Sequence, residues 1–334
     1  MVKIAIVGAS GQLAREVLDK LVETKKHAIT AMDPAQFPSL PGVTWVQTTY
    51  EDKPELVRLI NGLEVVLCFL PVHLDPENAT QKRLIDAAVE AGVQRFAPSE
   101  WATGAKLESS LDAIPWYAGK IEISHYLENL NKEKKVSLSA TCEMLGANNS
   151  LKVIEYTRFQ VGSFMNYLGH PHKTSRHVGT IPLFFNFEEQ HAILIEDSLD
   201  DVVVWTTVQD IAGVVARAVE YEGEWPAVGG ISGSRVSIGE MLRLGEAIGK
   251  PFTVDWLKRE DLEAEVRKTE DFTVVDFHNA PREEVEAWLE SALRRILLGV
   301  SRGAYAVTDE WNRILPDYDF IQVEDLLEEV WGEK

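Results

Sequence analysis

The feature that most constrains this chain stands at its start. A β-rich run, Lys3-Ile4-Ala5-Ile6-Val7, closes on Gly8-Ala9-Ser10-Gly11, and Leu13, Val17, Leu18 and Leu21 then recur at helical spacing. Strand, tight turn and helix in that order gather backbone N–H groups and the positive end of a helix around one point, which suits an anionic phosphate. Gly8 and Gly11 supply the turn, and Ala14 takes the third small position, where close helix-to-strand packing is needed. The alternative is a glycine turn that binds nothing. Further strands are predicted at His27 to Met32, Val43 to Thr48, Glu64 to Leu70 and Gln94 to Pro98, interleaved with helices at Pro54 to Ile60 and Ala79 to Ala91. Such a pattern implies right-handed βαβ units and an α/β fold built on a parallel sheet.

Composition narrows the function. The 334 residues carry 33 Lys plus Arg against 53 Asp plus Glu, a formal net charge of -20 that repels nucleic acid and anionic lipid. The longest basic run, Lys132-Glu133-Lys134-Lys135, is interrupted by a carboxylate and reads as a solvated helix end. No apolar run approaches a membrane span, and the first residues read as a strand instead of a signal peptide. Cys68 and Cys142 show no metal or redox spacing, so a cytoplasmic setting is expected.

The candidate cofactor residues are Gly8, Ser10, Gly11, Gln12 and Leu13 at the turn, Leu70 and Ser99 after the later strands, and Asp33. Asp33 ends the second strand, where a carboxylate can accept bonds from a ribose 2′-hydroxyl, and no Lys or Arg follows within Pro34 to Pro41 to meet a 2′-phosphate. That leans towards NAD(H) and leaves NADP(H) open; the alternative is a turn begun by Asp33 and Pro34. Ser99, Glu100, Trp101 and Thr103 fall at the carboxyl end of a strand, the ligand edge of an open α/β sheet, or else form a loop and a helix cap. Tyr117, Lys120 and Ser124 share a helix face, and Lys120 is the candidate catalytic residue.

After Tyr156 the pattern loosens into Gly, Pro, His and aromatic residues, and Phe159 to Phe187 is expected to form a pocket wall with Phe164, Tyr167 and His170, beside Trp101, as substrate contacts. His170, His172 and His177 invite a zinc reading, but no Cys or carboxylate stands at matching spacing, so no metal is expected. Two more strand-and-helix passages follow, near 201–221 and 229–248, expected to return to the first sheet. Ser237 and Glu240 have capping-box spacing at the second helix start.

Taken together, GASGQLAREVLD at Gly8 to Asp19, LIDAAVEAGVQRFAPSEW at Leu84 to Trp101, WYAGKIEISHYLE at Trp116 to Glu128 and TTVQDIAGVVARAVEY at Thr206 to Tyr221 resemble the NmrA-like, isoflavone-reductase-like branch of the atypical short-chain dehydrogenases, and its fungal members in particular. The resemblance implies a Rossmann-type doubly wound parallel sheet over residues 1–160 and a smaller, interleaved C-terminal substrate region over residues 161–334. It also implies a helix-borne lysine that assists hydride transfer, at Lys120. Three departures accompany it: Ala14 in place of the usual glycine, Asp33 where NADPH-using members tend to carry a basic residue, and the stretch Val136 to Lys152. Tyr117 precedes Lys120 by three positions, so it is not given the role of the tyrosine in a Tyr-x-x-x-Lys pair.

Val136 to Lys152 interrupts what should be a short connection from a helix ending at Lys135 to a strand at Val153 to Tyr156. It is read either as a loop insertion or as a translated, unspliced intron. The expected function is an NAD(P)H-dependent reductase of a small aromatic or conjugated-carbonyl metabolite. The alternatives are a non-catalytic dinucleotide-sensing regulator of the same family and an isomerase or cyclase using the same cleft; fold alone does not choose among them.

Overall fold

In the computed structural model, which describes residues 1–35, 40–142, 153–268 and 282–332, the opening apolar run becomes β1 (Lys3–Val7), with Ile4 to Val7 wholly buried. It is followed by α1 (Gln12–Thr24), β2 (Ala28–Asp33), β3 (Val43–Gln47), α2 (Lys53–Ile60), β4 (Val65–Cys68), α3 (Ala79–Glu90), β5 (Arg95–Ala97), α4 (Ala118–Cys142) and β6 (Glu155–Tyr156). The six strands pair in parallel in the order β3-β2-β1-β4-β5-β6. That is the doubly wound Rossmann order, with its switch point between β1 and β4, where ligands bind at the carboxyl ends of the strands.

The sheet is buried because its strands carry apolar side chains on both faces. Ala5 and Val7 of β1 belong to a cluster with Leu56 and Ile60 of α2, Leu84 and Ile85 of α3, and Ile123 and Leu127 of α4. Ile4 and Ile6 alternate to the opposite face, and the buried stripe of α1, Ala14, Val17, Leu18 and Leu21, lies outside that cluster.

By internal contacts the chain divides into two units that exchange segments: Met1–Glu100, Gly119–Phe159 and Val215–Gly229 in the first, Trp101–Ala118, Gln160–Val214 and Gly230–Lys334 in the second. The remaining elements are β7 (Arg158–Gln160), β8 (Ser163–Phe164), β9 (Phe185–Asn186), β10 (His191–Ile195), β11 (Val202–Thr206), α5 (Val208–Ala218), β12 (Val228–Gly230), β13 (Ser234–Ser237), α6 (Ile238–Ala247), β14 (Thr253–Leu257), α7 (Arg259–Lys268), α8 (Arg282–Ser301), α9 (Glu310–Ile314) and α10 (Val323–Trp331). They form small sheets ordered β14-β10-β9, β13-β11-β8 and β12-β7. Among the described residues no helix is long and apolar enough to cross a membrane.

Three sequence expectations differ from the observed fold. β11 does not join the large sheet: it pairs antiparallel with β13 and parallel with β8, and of the later passages only Val215–Gly229 counts in the first unit. A mostly apolar strand such as Val202–Thr206 signals burial but not which sheet receives it. The helix expected to stop at Lys135 runs to Cys142; residues 143–152 of the candidate insertion lie outside the described residues. The aromatic stretch is not a wall at its far end, since Phe184, Phe185 and Phe187 are at most 2% exposed. Phe184 sits 5.3 Å from the ring of Phe185 and 5.9 Å from that of Trp205, and Phe187 lies 4.8 Å from Phe252. These rings form a core, because aromatic residues bury large area wherever they cluster. The capping box is present: Glu240 N donates to Ser237 Oγ at 3.2 Å and Ser237 N to Glu240 Oε2 at 2.8 Å.

Candidate active site

The glycine turn sits at the carboxyl end of β1, at the switch point. Gly8 has φ +73°, and a Cβ there would stand 3.2 Å from the carbonyl carbon of Phe69, so both its conformation and the closeness of the chain after β4 require glycine. Three successive N–H groups of the turn bond towards β2. Gly8 N donates to Met32 O at 3.1 Å, Ala9 N to the same oxygen at 3.2 Å, and Ser10 N to Asp33 Oδ2 at 2.9 Å. Gly11 N turns back to Gly8 O at 3.1 Å.

Gly11 then caps α1 with no side-chain hydrogen bond, and the first turn holds no acidic residue. The N–H groups that open a helix have no carbonyl one turn back within it, and the positive end of the helix dipole lies there, so the start of an α-helix favours an anion. Gly8 and Ser10 shape the turn through these bonds to β2.

Asp33 is 3% exposed, and its second oxygen accepts from Ala35 N at 2.9 Å. Both carboxylate oxygens thus hold backbone. Sequence reasoning missed Tyr50, 3% exposed, whose hydroxyl donates to Met32 O at 2.6 Å and accepts from Gly8 N at 3.1 Å. Burial pushes its phenol well above the ordinary range. No local pattern announces a bond between residues 42 positions apart.

Leu70 and Ser99 follow β4 and β5 on the same edge. Gly8 would meet the amide of Leu70 at 3.3 Å if it carried a Cβ, and Ser99 N donates to the buried Gln81 Oε1 at 2.8 Å. Lys120, in the first turn of α4, is 6% exposed and donates from Nζ to the main-chain carbonyl of Glu100, just past β5. Burial lowers its pKa to about 8, against a smaller upward pull from the Glu100 charge. The residue before it, Gly119, leaves no room for a side chain: a Cβ would lie 2.4 Å from Val72 Cγ1 and 2.5 Å from Asn78 Oδ1. The fingerprint turn and Lys120 therefore share the carboxyl edge of one sheet.

The residues expected to touch substrate belong to the second unit. Phe164 and Tyr167 lie 5.5 Å apart by ring centroid, both partly exposed, and burial raises the Tyr167 phenol. Trp101 is 8% exposed with φ +41°, a left-handed conformation that is rare for a large residue. His170 Nδ1 lies 3.3 Å from both Thr180 O and Thr180 Oγ1, and His172 packs against Trp331 at 4.8 Å. Among the described residues no group of three or more His, Cys, Asp or Glu could hold a metal ion.

A parallel sheet in this order, with a glycine turn and an uncapped helix end at its switch point, defines a Rossmann-type α/β protein. The chain belongs to the NmrA-like family, whose model matches residues 2–244. It is 26% identical over 209 residues to the oxidoreductase aprR of Aspergillus flavus, a match covering 60% of this chain and 58% of that relative's length. Among solved structures, the binary complex of leucoanthocyanidin reductase with NADPH from Vitis vinifera superposes with a TM-score of 0.65 at 14% identity, covering 98% of both chains. The NADPH-dependent quinone oxidoreductase of Escherichia coli in complex with NADPH gives 0.61 at 20% identity, covering 98% of this chain and all of that one, 100%. These likenesses show the shared fold.

Proposed function

We propose that the chain is an NAD(P)H-dependent reductase of a small aromatic or conjugated-carbonyl metabolite. The observation that carries the reading is Lys120: a buried amine with a pKa lowered to about 8, fixed to the Glu100 carbonyl on the edge where the turn meets the end of α1. An amine poised near neutral pH suits proton transfer better than an ordinary lysine does. The residues present fit a dinucleotide, since Gly8 admits a close backbone approach and α1 opens without a capping side chain. The relatives' names, oxidoreductase and NADPH-dependent reductase, support the same reading.

When bound, the nicotinamide supplies the hydride. Gln12 and Leu13 bind the pyrophosphate through backbone N–H, Leu70 and Ser99 border the cofactor, and Lys120 holds the ribose and delivers a proton to the reduced group. Phe164, Tyr167, Trp101 and His170 are proposed as substrate contacts. The test is titration of the purified chain with NADPH, NADH, NADP and NAD, followed by turnover of a panel of aromatic ketones and quinones with wild type and Lys120→Ala. Binding of a reduced cofactor with turnover that falls in Lys120→Ala is the expected result. Cofactor binding without turnover of any compound overturns the reductase reading in favour of a dinucleotide-sensing regulator.

A further inference from the structure

The turn at Gly8 is held from outside its own loop, by β2 and by the segment after β3. Gly8 has one N–H and two acceptors at equal range, Met32 O and the Tyr50 hydroxyl, both at 3.1 Å. The hydroxyl's own proton goes to Met32 O at 2.6 Å, so a single buried O–H closes a ring joining the end of β2, the turn and the start of the segment after β3. Tyr50 is itself anchored through its backbone. Its N–H donates to Thr48 Oγ1 at 3.2 Å, and its carbonyl accepts from Arg83 Nη1 at 2.9 Å. Its φ of +62° is one a tyrosine adopts only when the surroundings hold it.

We propose that Tyr50 is a positioning residue for the dinucleotide: its hydroxyl, shared between Met32 O and Gly8 N–H, fixes the turn so that the first N–H groups of α1 converge on the pyrophosphate. The inference rests on the reading that this turn takes a dinucleotide. Asp33 acts from the other side of the same tether, its carboxylate holding Ser10 N and Ala35 N. It is therefore a brace before it is a selector of the ribose. A turn held at Gly8, Ala9 and Ser10 has little freedom left to lose on binding, and affinity gained by preorganisation falls when the brace is cut.

Tyr50→Phe keeps the ring and removes the hydroxyl. Binding of NADH and NADPH is followed by nicotinamide fluorescence, and amide hydrogen exchange is read at Gly8, Ala9 and Ser10 without ligand. Ser237→Ala serves as the control, since it removes a helix cap in the other unit and lowers stability without touching the turn. The expected result is a Kd raised about five-fold or more for both nucleotides, the scale of one buried hydrogen bond, with faster exchange at the turn and neither change in Ser237→Ala. Should Tyr50→Phe fail to fold, Asp33→Ala removes the acceptors that hold Ser10 N and Ala35 N and carries the same expectation for amide exchange at the turn.

Unchanged exchange at the turn overturns the brace, whatever the nucleotide does. Faster exchange with an unaltered Kd overturns the positioning role. A wild-type chain that binds neither nucleotide defeats the dinucleotide reading, and the positioning role with it.

Discussion

The amine of Lys120 donates to the main-chain carbonyl of Glu100, and this bond fixes a titratable group at the carboxyl edge of the sheet while burying it from water. A neutral carbonyl accepts the proton but does not balance the charge, so desolvation dominates and the pKa drops from 10.5 to about 8.

Two pH effects follow from that shift. The unfolded chain binds the Lys120 proton up to about pH 10.5, whereas the folded chain releases it from about pH 8, so this residue's contribution to stability rises with pH between those values. Lys120→Met should therefore raise Tm at pH 7, with the advantage shrinking towards pH 10; a Tm difference constant with pH contradicts the lowered pKa. In turnover, the wild type should lose kcat as pH rises through about 8, where the ammonium proposed to donate the proton disappears. A pH profile of Lys120→Ala should lack that limb.

Gly8→Ala places a Cβ 3.2 Å from the Phe69 carbonyl carbon on a residue with φ +73°. The left-handed conformation alone costs roughly 1–2 kcal/mol, and the backbone neighbour cannot swing aside as a side chain would. Denaturant unfolding should register at least that loss, and dinucleotide binding should fall steeply because the turn must move. Wild-type affinity in Gly8→Ala would mean that the approach of the chain after β4 does not shape the seat.

Ser237→Ala removes a completed capping box at the start of α6. The expected cost is about 1 kcal/mol, read from the denaturation midpoint, with nucleotide affinity unaltered. A cost near zero would show that Glu240 alone satisfies the helix start.

Phe187→Ala and Phe164→Ala separate core from substrate surface. Phe187 is 0% exposed and should cost about 3–5 kcal/mol of stability when truncated. Phe164 is partly exposed beside Tyr167 and should leave most of the stability while raising KM for an aromatic substrate. Equal destabilisation by the two would place Phe164 in the core as well.

Much of the first unit was legible because its signals are local. Helical spacing at Leu13 to Leu21 and the apolar run of β4 express physics confined to a few neighbouring residues, as does the capping box of Ser237 in the second unit, and each stands where the sequence put it. The sequence placed Lys120 on a helix face near the start of α4, but its bond to the Glu100 carbonyl just past β5 depends on how the chain folds back. What escaped depends on pairing across the chain. Nothing in Ser234–Ser237 announces that it will pair with β11, and aromatic content did not distinguish the partly exposed Phe164 from a core filled by Phe184 to Phe187. Asp33 was legible as a carboxylate at the right strand end, but not as one already committed to two backbone amides.

The interleaving of the two units also bears on the order of synthesis. The first unit takes in Val215–Gly229, where Arg95 donates to Gly223 O at 2.6 Å, Trp225 Nε1 donates to Ala218 O at 2.9 Å and the Trp225 ring meets Phe159 at 6.0 Å. A ribosome that has delivered β6 has therefore delivered six strands but not the segment that finishes their unit. Completion of the first unit must wait until about two thirds of the chain has emerged, and no terminal truncation can isolate either unit intact.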